Sequence, residues 1–124
     1  KEQLNVLKQL VTQPTEKPKR LSLHTSEKII VVDIDTIIRC KSDNNYTTFY
    51  LKDKSKILVS KTLKYYSDIL KEVNFLRVHQ SHLVNKAYIK EFIKSDGGYL
   101  ILNDSSNIPV SARKKTEIIT ALKK

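Results

Sequence analysis

The chain has 124 residues, 40% of them apolar, and one cysteine; that suits one domain with one modest core and excludes an internal disulfide or a cysteine-rich zinc site. Lysine and arginine outnumber aspartate and glutamate 23 to 13, a net +10 with a pI near 9.7, which favours a polyanionic partner. No apolar run nears the roughly 18 residues of a membrane span, and the first dozen residues lack a signal peptide's apolar centre, so the expected setting is a reducing cytoplasm with no membrane contact.

Residues 1–12 place Leu4, Leu7, Leu10 and Val11 at three- and four-residue steps, a short amphipathic helix. It is either a surface helix of this domain or the end of a linking or dimerising helix from an upstream one. Residues 13–20, with Pro14 and Pro18 and no apolar side chain, read as a linker and favour the second. With no methionine in the sequence, Lys1 reads as a cut inside a longer polypeptide. The expected division is therefore 1–20 as helix and linker, and 21–124 as the domain.

From Leu21 the chain reads as short strands. Ile29–Val32 is continuously apolar and Ile37–Cys40 nearly so, while Tyr46–Leu51 alternates Thr47, Phe49 and Leu51 against Tyr46, Thr48 and Tyr50. Asp53-Lys54-Ser55 should turn that strand into Ile57–Ser60 as a hairpin. Cys40 is expected to be a small buried side chain. Thr62 can cap a helix whose Leu63, Tyr66, Ile69 and Leu70 share a face. Asp96-Gly97-Gly98 and 103–107 bracket a strand at Tyr99–Leu102, making the C-terminal half a meander. A second helix is expected to begin near Ser111 and carry Ile118, Ile119 and Leu122 inward. Its first turn would hold Arg113, Lys114 and Lys115 at the positive end of the helix dipole, unfavourable by up to about 1 kcal/mol, so an anion is expected there.

The distinctive stretch is Phe75–Asn85, Phe-Leu-Arg-Val-His-Gln-Ser-His-Leu-Val-Asn. Its first half alternates like a half-buried strand, Leu76 and Val78 against Phe75, Arg77 and His79. Its second half gathers Gln80, Ser81, His82 and Asn85, donors suited to bases or phosphates. Phe75, Arg77, Val78, His79, a polar Gln80, Ser81 and Val84-Asn85 resemble the signature of LytTR-type DNA-binding domains, output modules of bacterial response regulators of the LytR/AlgR kind. Asn45-Tyr46, Ile89–Ile93 and Ile108-Pro109-Val110-Ser111 with Arg113 fall in the family's order and spacing. The resemblance covers about residues 28–122.

The resemblance implies a mainly β fold, an elongated arrangement of short antiparallel sheets with two or three short helices. It also implies sequence-specific binding of double-stranded DNA in transcription regulation, within a two-component phosphorelay. Loops and strand ends would read the major groove, with two copies on paired short repeats bending the duplex, and a homodimer formed on DNA or through an upstream receiver domain. Arg113 falls where the family has a base-reading arginine, whose fork can donate two hydrogen bonds to guanine; a solvated surface arginine is the plainer reading. Gln80 falls at a second contact position, where an amide can pair with adenine. Tyr46 falls at a third, yet one hydroxyl cannot make a bidentate contact, so Tyr46 should position the duplex or simply cap the sheet, and Asn44 or Asn45 could do the reading. Ser81, Ser111, Lys114 and Lys115 are candidate phosphate ligands. Arg77, His79 and Asn85 are expected to shape the loop by hydrogen-bonding backbone groups.

Other classes fit less well. His79 and His82, with His24 or an acid, lack the spacing of a metal site, and there is no phosphate-binding glycine loop or Ser-His-Asp arrangement. No enzyme, metal or cofactor is expected. A basic β module binding RNA or protein is the alternative, but Phe49, Tyr50, Tyr65, Tyr66 and Tyr99 are scattered, not arrayed as a stacking platform. Lys52, Lys54, Lys56, Lys61 and Lys64 form the densest basic run, a solvated surface that could in part extend a DNA footprint.

Overall fold

A computed structural model describes residues 18–123; the amphipathic segment at 1–12 and most of the expected linker lie outside them. Strand β1 (Arg20–His24) begins one residue earlier than the expected domain boundary and pairs with β2 (Ile29–Asp33) as a two-stranded sheet. Then come β3 (Ile37–Asp43), β4 (Tyr46–Leu51), β5 (Lys56–Val59), helix α1 (Leu63–Leu70), β6 (Phe75–His79) and β7 (His82–Asn85). These strands build a central antiparallel sheet in the order β5-β4-β3-β7-β6. Strands β8 (Ile89–Ile93), β9 (Tyr99–Leu102) and β10 (Asn107–Pro109) form a three-stranded meander, and helix α2 (Lys115–Ala121) closes the chain. The mainly β arrangement of short antiparallel sheets with two α-helices agrees with the expectation from sequence.

The central sheet separates two cores. On one face Cys40, Phe49, Val59, Phe75 and Leu83 pack against Leu63, Tyr66 and Leu70 of α1 and against Leu21 and Leu23 of β1. On the other, Val78 and Val84 meet Leu100, Leu102, Ile108 and Ile118 from the meander and α2. Period-two alternation assigns neighbours to opposite cores, Leu83 to the first and Val84 to the second. Cys40 is fully buried, and burial pushes its thiol pKa far up, so it is an inert apolar group.

Local chemistry sets the turns. Asn44 adopts φ 58° between β3 and β4, a left-handed conformation that asparagine tolerates. Asp53 Oδ1 accepts from the Ser55 amide at 2.9 Å and so shapes the β4–β5 turn. Thr62 caps α1, its hydroxyl accepting from the Tyr65 amide at 3.3 Å. Gly98, at φ +90°, lies beneath Lys115, whose Cε would stand 2.9 Å from any added Cβ.

In the apolar run Ile29–Val32, Ile29 and Val31 face out, because β2 pairs only with β1 and has one covered side. Two sequence expectations need correction. Alternation in β6 does not run to its end, since a bulge in the β6–β7 pairing falls between Arg77 and His79. The last helix starts at Lys115, so Arg113 and Lys114 belong to a 3-10 turn, Ala112–Lys114, ahead of it. The dipole reasoning therefore does not apply to them. Ile118 is buried and Leu122 packs on its core, while Ile119 is half-buried.

Candidate nucleic-acid interface

Two tight turns project from one end of the central sheet. The β3–β4 turn carries Asn44 and Asn45, followed by Tyr46; the β6–β7 turn carries Gln80 and Ser81. They are tied edge to edge, because the Ser42 amide donates to the Ser81 carbonyl at 2.9 Å. Beyond β6, the Ser111 amide donates to the Val78 carbonyl at 2.9 Å, and the Lys114 amide to the Ser111 carbonyl at 2.9 Å. The 3-10 turn bearing Arg113 is thereby held beside the Gln80 turn.

A groove of about 490 Å³ opens between them, lined by Arg77, His79, Gln80, Ser111, Arg113 and Lys114. Two arginines and a lysine face it with no carboxylate in the lining. A larger depression, about 910 Å³, lies at the other end of the sheet. Its lining includes Asp33, Asp35 and Glu72 against Lys19, a polarity that repels phosphate. The two depressions differ in sign, and the basic one lies beside the turns.

The signature residues hold the β6–β7 turn from behind. Arg77 Nε donates to the His79 carbonyl at 3.1 Å and Nη2 to the Gln80 carbonyl at 2.7 Å. Partial burial pushes the guanidinium pKa down from its ordinary value, opposed by the charge of Asp68; at neutral pH it stays a cation. His79 Nδ1 accepts from the Ser81 amide at 3.0 Å. With its carbonyl engaged by Arg77, Gln80 leaves its exposed side-chain amide free to face a ligand. Asn85 works at the far end of β7, its Nδ2 donating to the Ile37 carbonyl at 2.9 Å and its Oδ1 accepting from the Ala87 amide at 3.0 Å.

Of the residues singled out from sequence, Gln80, Ser111, Arg113 and Lys114 come together in the groove. Arg77 and His79 are half-buried and form its wall. Tyr46, 48% exposed, stands outside the lining on the rim of the same sheet end, three strand positions from β6. At about 4.8 Å per strand that is roughly 14 Å, wider than one major groove of about 12 Å. Ser81 is also outside the lining, and Lys115 lies over Gly98 instead. The dense lysine run disperses: Lys52 and Lys54 sit at the opposite end, Lys64 pairs with Asp68 at 2.9 Å, and Lys61 Nζ lies 5.0 Å from the Tyr65 ring. Lys61 returns to the reading end, where its carbonyl accepts from Thr47 Oγ1 at 2.8 Å. Among the described residues no group of three His, Cys, Asp or Glu could hold a metal.

His82 sits just behind the turn, its ring 5.4 Å from that of His79 and its Nδ1 buried without a partner. Burial first, then the charges of His79, Arg39 and Lys41, pull its pKa down to about 4. The unfolded chain protonates near 6.5, so the neutral ring's contribution to stability is complete above that pH and is lost as pH falls toward 4. Discounted for partial exposure, the loss is about 1 to 2 kcal/mol. Urea midpoints should therefore drop between pH 6.5 and 4 more steeply for the native chain than for His82→Gln. Parallel curves would show that His82 is not the group responsible.

The sequence matches the family described as LytTr DNA-binding domain over residues 27–123. The sensory transduction protein LytT of Bacillus subtilis is 35% identical over 101 residues, which span 80% of this chain and 42% of that protein. The heme-containing CO-sensing transcriptional regulator RcoM 2 of Paraburkholderia xenovorans is 27% identical over 123 residues, 88% of this chain and 46% of that protein. The chain thus spans less than half the length of either relative. A solved LytTr DNA-binding domain from Bacillus cereus superposes with a TM-score of 0.72 at 18% identity, covering 86% of this chain and 99% of that one, which establishes the fold. Matched over most of its length, from β2 to the end of α2, the chain belongs to the LytTR family of DNA-binding domains, a non-enzymatic family of transcriptional regulators.

Proposed function

We propose that this domain recognises specific double-stranded sites and is the output domain of a cytoplasmic transcriptional response regulator. What carries the reading is the groove in which Gln80 and Arg113, from distant parts of the chain, face the same basic space. Arg113 reads guanine through its fork and Gln80 reads a neighbouring base in the major groove. Tyr46, on the same sheet end, engages the adjoining stretch of duplex, with Asn44 and Asn45 beside it. Ser81, Ser111, Lys114 and Lys115 contact phosphates and fix register. Arg77, His79 and Asn85 shape the turns that present these groups.

The domain proper runs from about residue 21, with 1–20 leading from an upstream module. A receiver domain accords with the sensory relative LytT, and phosphorylation there would bring two copies onto paired short repeats, raising apparent affinity by linkage. Selection of bound sequences from a random duplex library tests the whole reading. Enrichment of a short motif, repeated at fixed spacing for the full-length dimer, is the expected result; a pool that stays random would overturn it.

A further inference from the structure

The face of the central sheet opposite α1 is only half covered. The meander and α2 cover it over β6 and β7, where Leu76, Val78 and Val84 join their core. Ile38, at the start of β3, joins that core as well; over the rest of β3 and over β4 and β5 the same face lies open. Pairing register sets its residues in rows: Lys56 beside Tyr50 beside Arg39, and Leu58 beside Thr48 beside Lys41. Lys41, Lys56 and Leu58 are exposed, and Tyr50, Thr48 and Arg39 half-buried.

The patch is cationic and organised. The Arg39 guanidinium lies 3.7 Å from the Tyr50 ring centroid and Lys56 Nζ lies 5.6 Å from it, so both cations are steered over one aromatic ring. Arg39 Nε is buried without a hydrogen-bond partner. Among the described residues no carboxylate pairs with Arg39, Lys41 or Lys56. The one carboxylate of these strands on that face is Asp43, at the rim beside Tyr46. The patch is continuous with the reading end: Lys41 stands two residues behind Asp43, about 7 Å, and Arg39 about 13 Å behind it.

Resting on the reading of the sheet end given above, we propose that this open face is a second phosphate-contacting surface, which takes the duplex flanking the bases read by the turns. A straight duplex laid across the turns meets Lys41 at most. Reaching Lys56 and Arg39 requires the flank to bend toward the β3–β4–β5 face, and the unpaired cations there supply the attraction for that deformation.

The test uses the duplex selected from the random library, cut back to the bases the selection fixes or extended by about one helical turn (10 base pairs) on each side. Lys41→Gln with Lys56→Gln is compared with Lys52→Gln with Lys71→Gln, two exposed lysines at the far end of the domain. On the extended duplex the first pair should flatten the salt slope by about 2, so that roughly tenfold less affinity is lost between about 50 and 200 mM salt. It should also straighten the bound duplex in end-to-end energy transfer. On the short duplex the second pair should bind like the native chain, and the first should lower the slope by about 1 at most, the share of Lys41. Site-specific binding that extension does not strengthen, or a first pair that keeps the native slope and bend on the extended duplex, would overturn this inference alone. Native binding that ignores sequence would overturn the reading of the sheet end and this inference with it.

Discussion

Replacing Arg113 by alanine is expected to weaken binding to the selected site by about 1 to 3 kcal/mol, roughly fivefold to 150-fold, and to relax preference at one base pair. The side chain is exposed on a 3-10 turn that backbone hydrogen bonds hold in place, so truncation should leave stability within about 0.5 kcal/mol. The loss is therefore one of recognition. Lys114→Ala, one residue on, removes a point charge whose ammonium is shared with Glu117 at 3.5 Å; it should weaken all duplexes alike and reduce the salt slope by about 1. Arg113→Lys separates the two roles, because it keeps the charge and loses the planar fork. It should bind random duplex like the native chain and discriminate like Arg113→Ala. Titrations on selected and scrambled duplexes decide the matter: equal losses on both for Arg113→Ala would make it an anchor and not a reader.

What could be read from the sequence was local. Period-two alternation in β4 set Thr47, Phe49 and Leu51 apart from Tyr46, Thr48 and Tyr50 because strand geometry is set by nearest neighbours, and the first set is the buried side. Thr62 announced its helix because a cap acts across three residues. The signature at Phe75–Asn85 marked the turn, and Arg77 and His79 do bond the backbone there. Distant pairing was not legible. That Arg113 lies against Gln80 depends on the Ser111 to Val78 hydrogen bond, and no periodicity reports it. Which side of the β2 run faces out was not legible, because a continuous apolar segment carries no sign of which side a partner covers. The start of α2 was misplaced since 111–115 is rich in cations and the Ser111 hydroxyl makes no cap. The row of Lys56, Tyr50 and Arg39 becomes visible only with the register, which depends on the bulge between Ile37 and Arg39.

The largest stability effect among the signature residues is expected at Asn85, whose side chain is 5% exposed. It joins the start of β3 to the end of β7 through the Ile37 carbonyl and launches the turn into β8 through the Ala87 amide. In Asn85→Leu both backbone groups lose their partner, each at about 1 to 3 kcal/mol, part of which the added apolar contact returns. A net loss of about 2 to 4 kcal/mol in urea unfolding is expected, a large share of a small domain's stability. Asn85→Asp should not rescue it: the acceptor for Ala87 remains, but a carboxylate would face the Ile37 carbonyl in a buried site. The same residue tests the division between shaping and contact. Asn85 lies at the opposite end of β7 from the Gln80–Ser81 turn, about 10 Å away along the strand. Where the variant is still folded, its sequence preference should match the native chain's. Altered preference at full folding would place Asn85 in the recognition machinery instead.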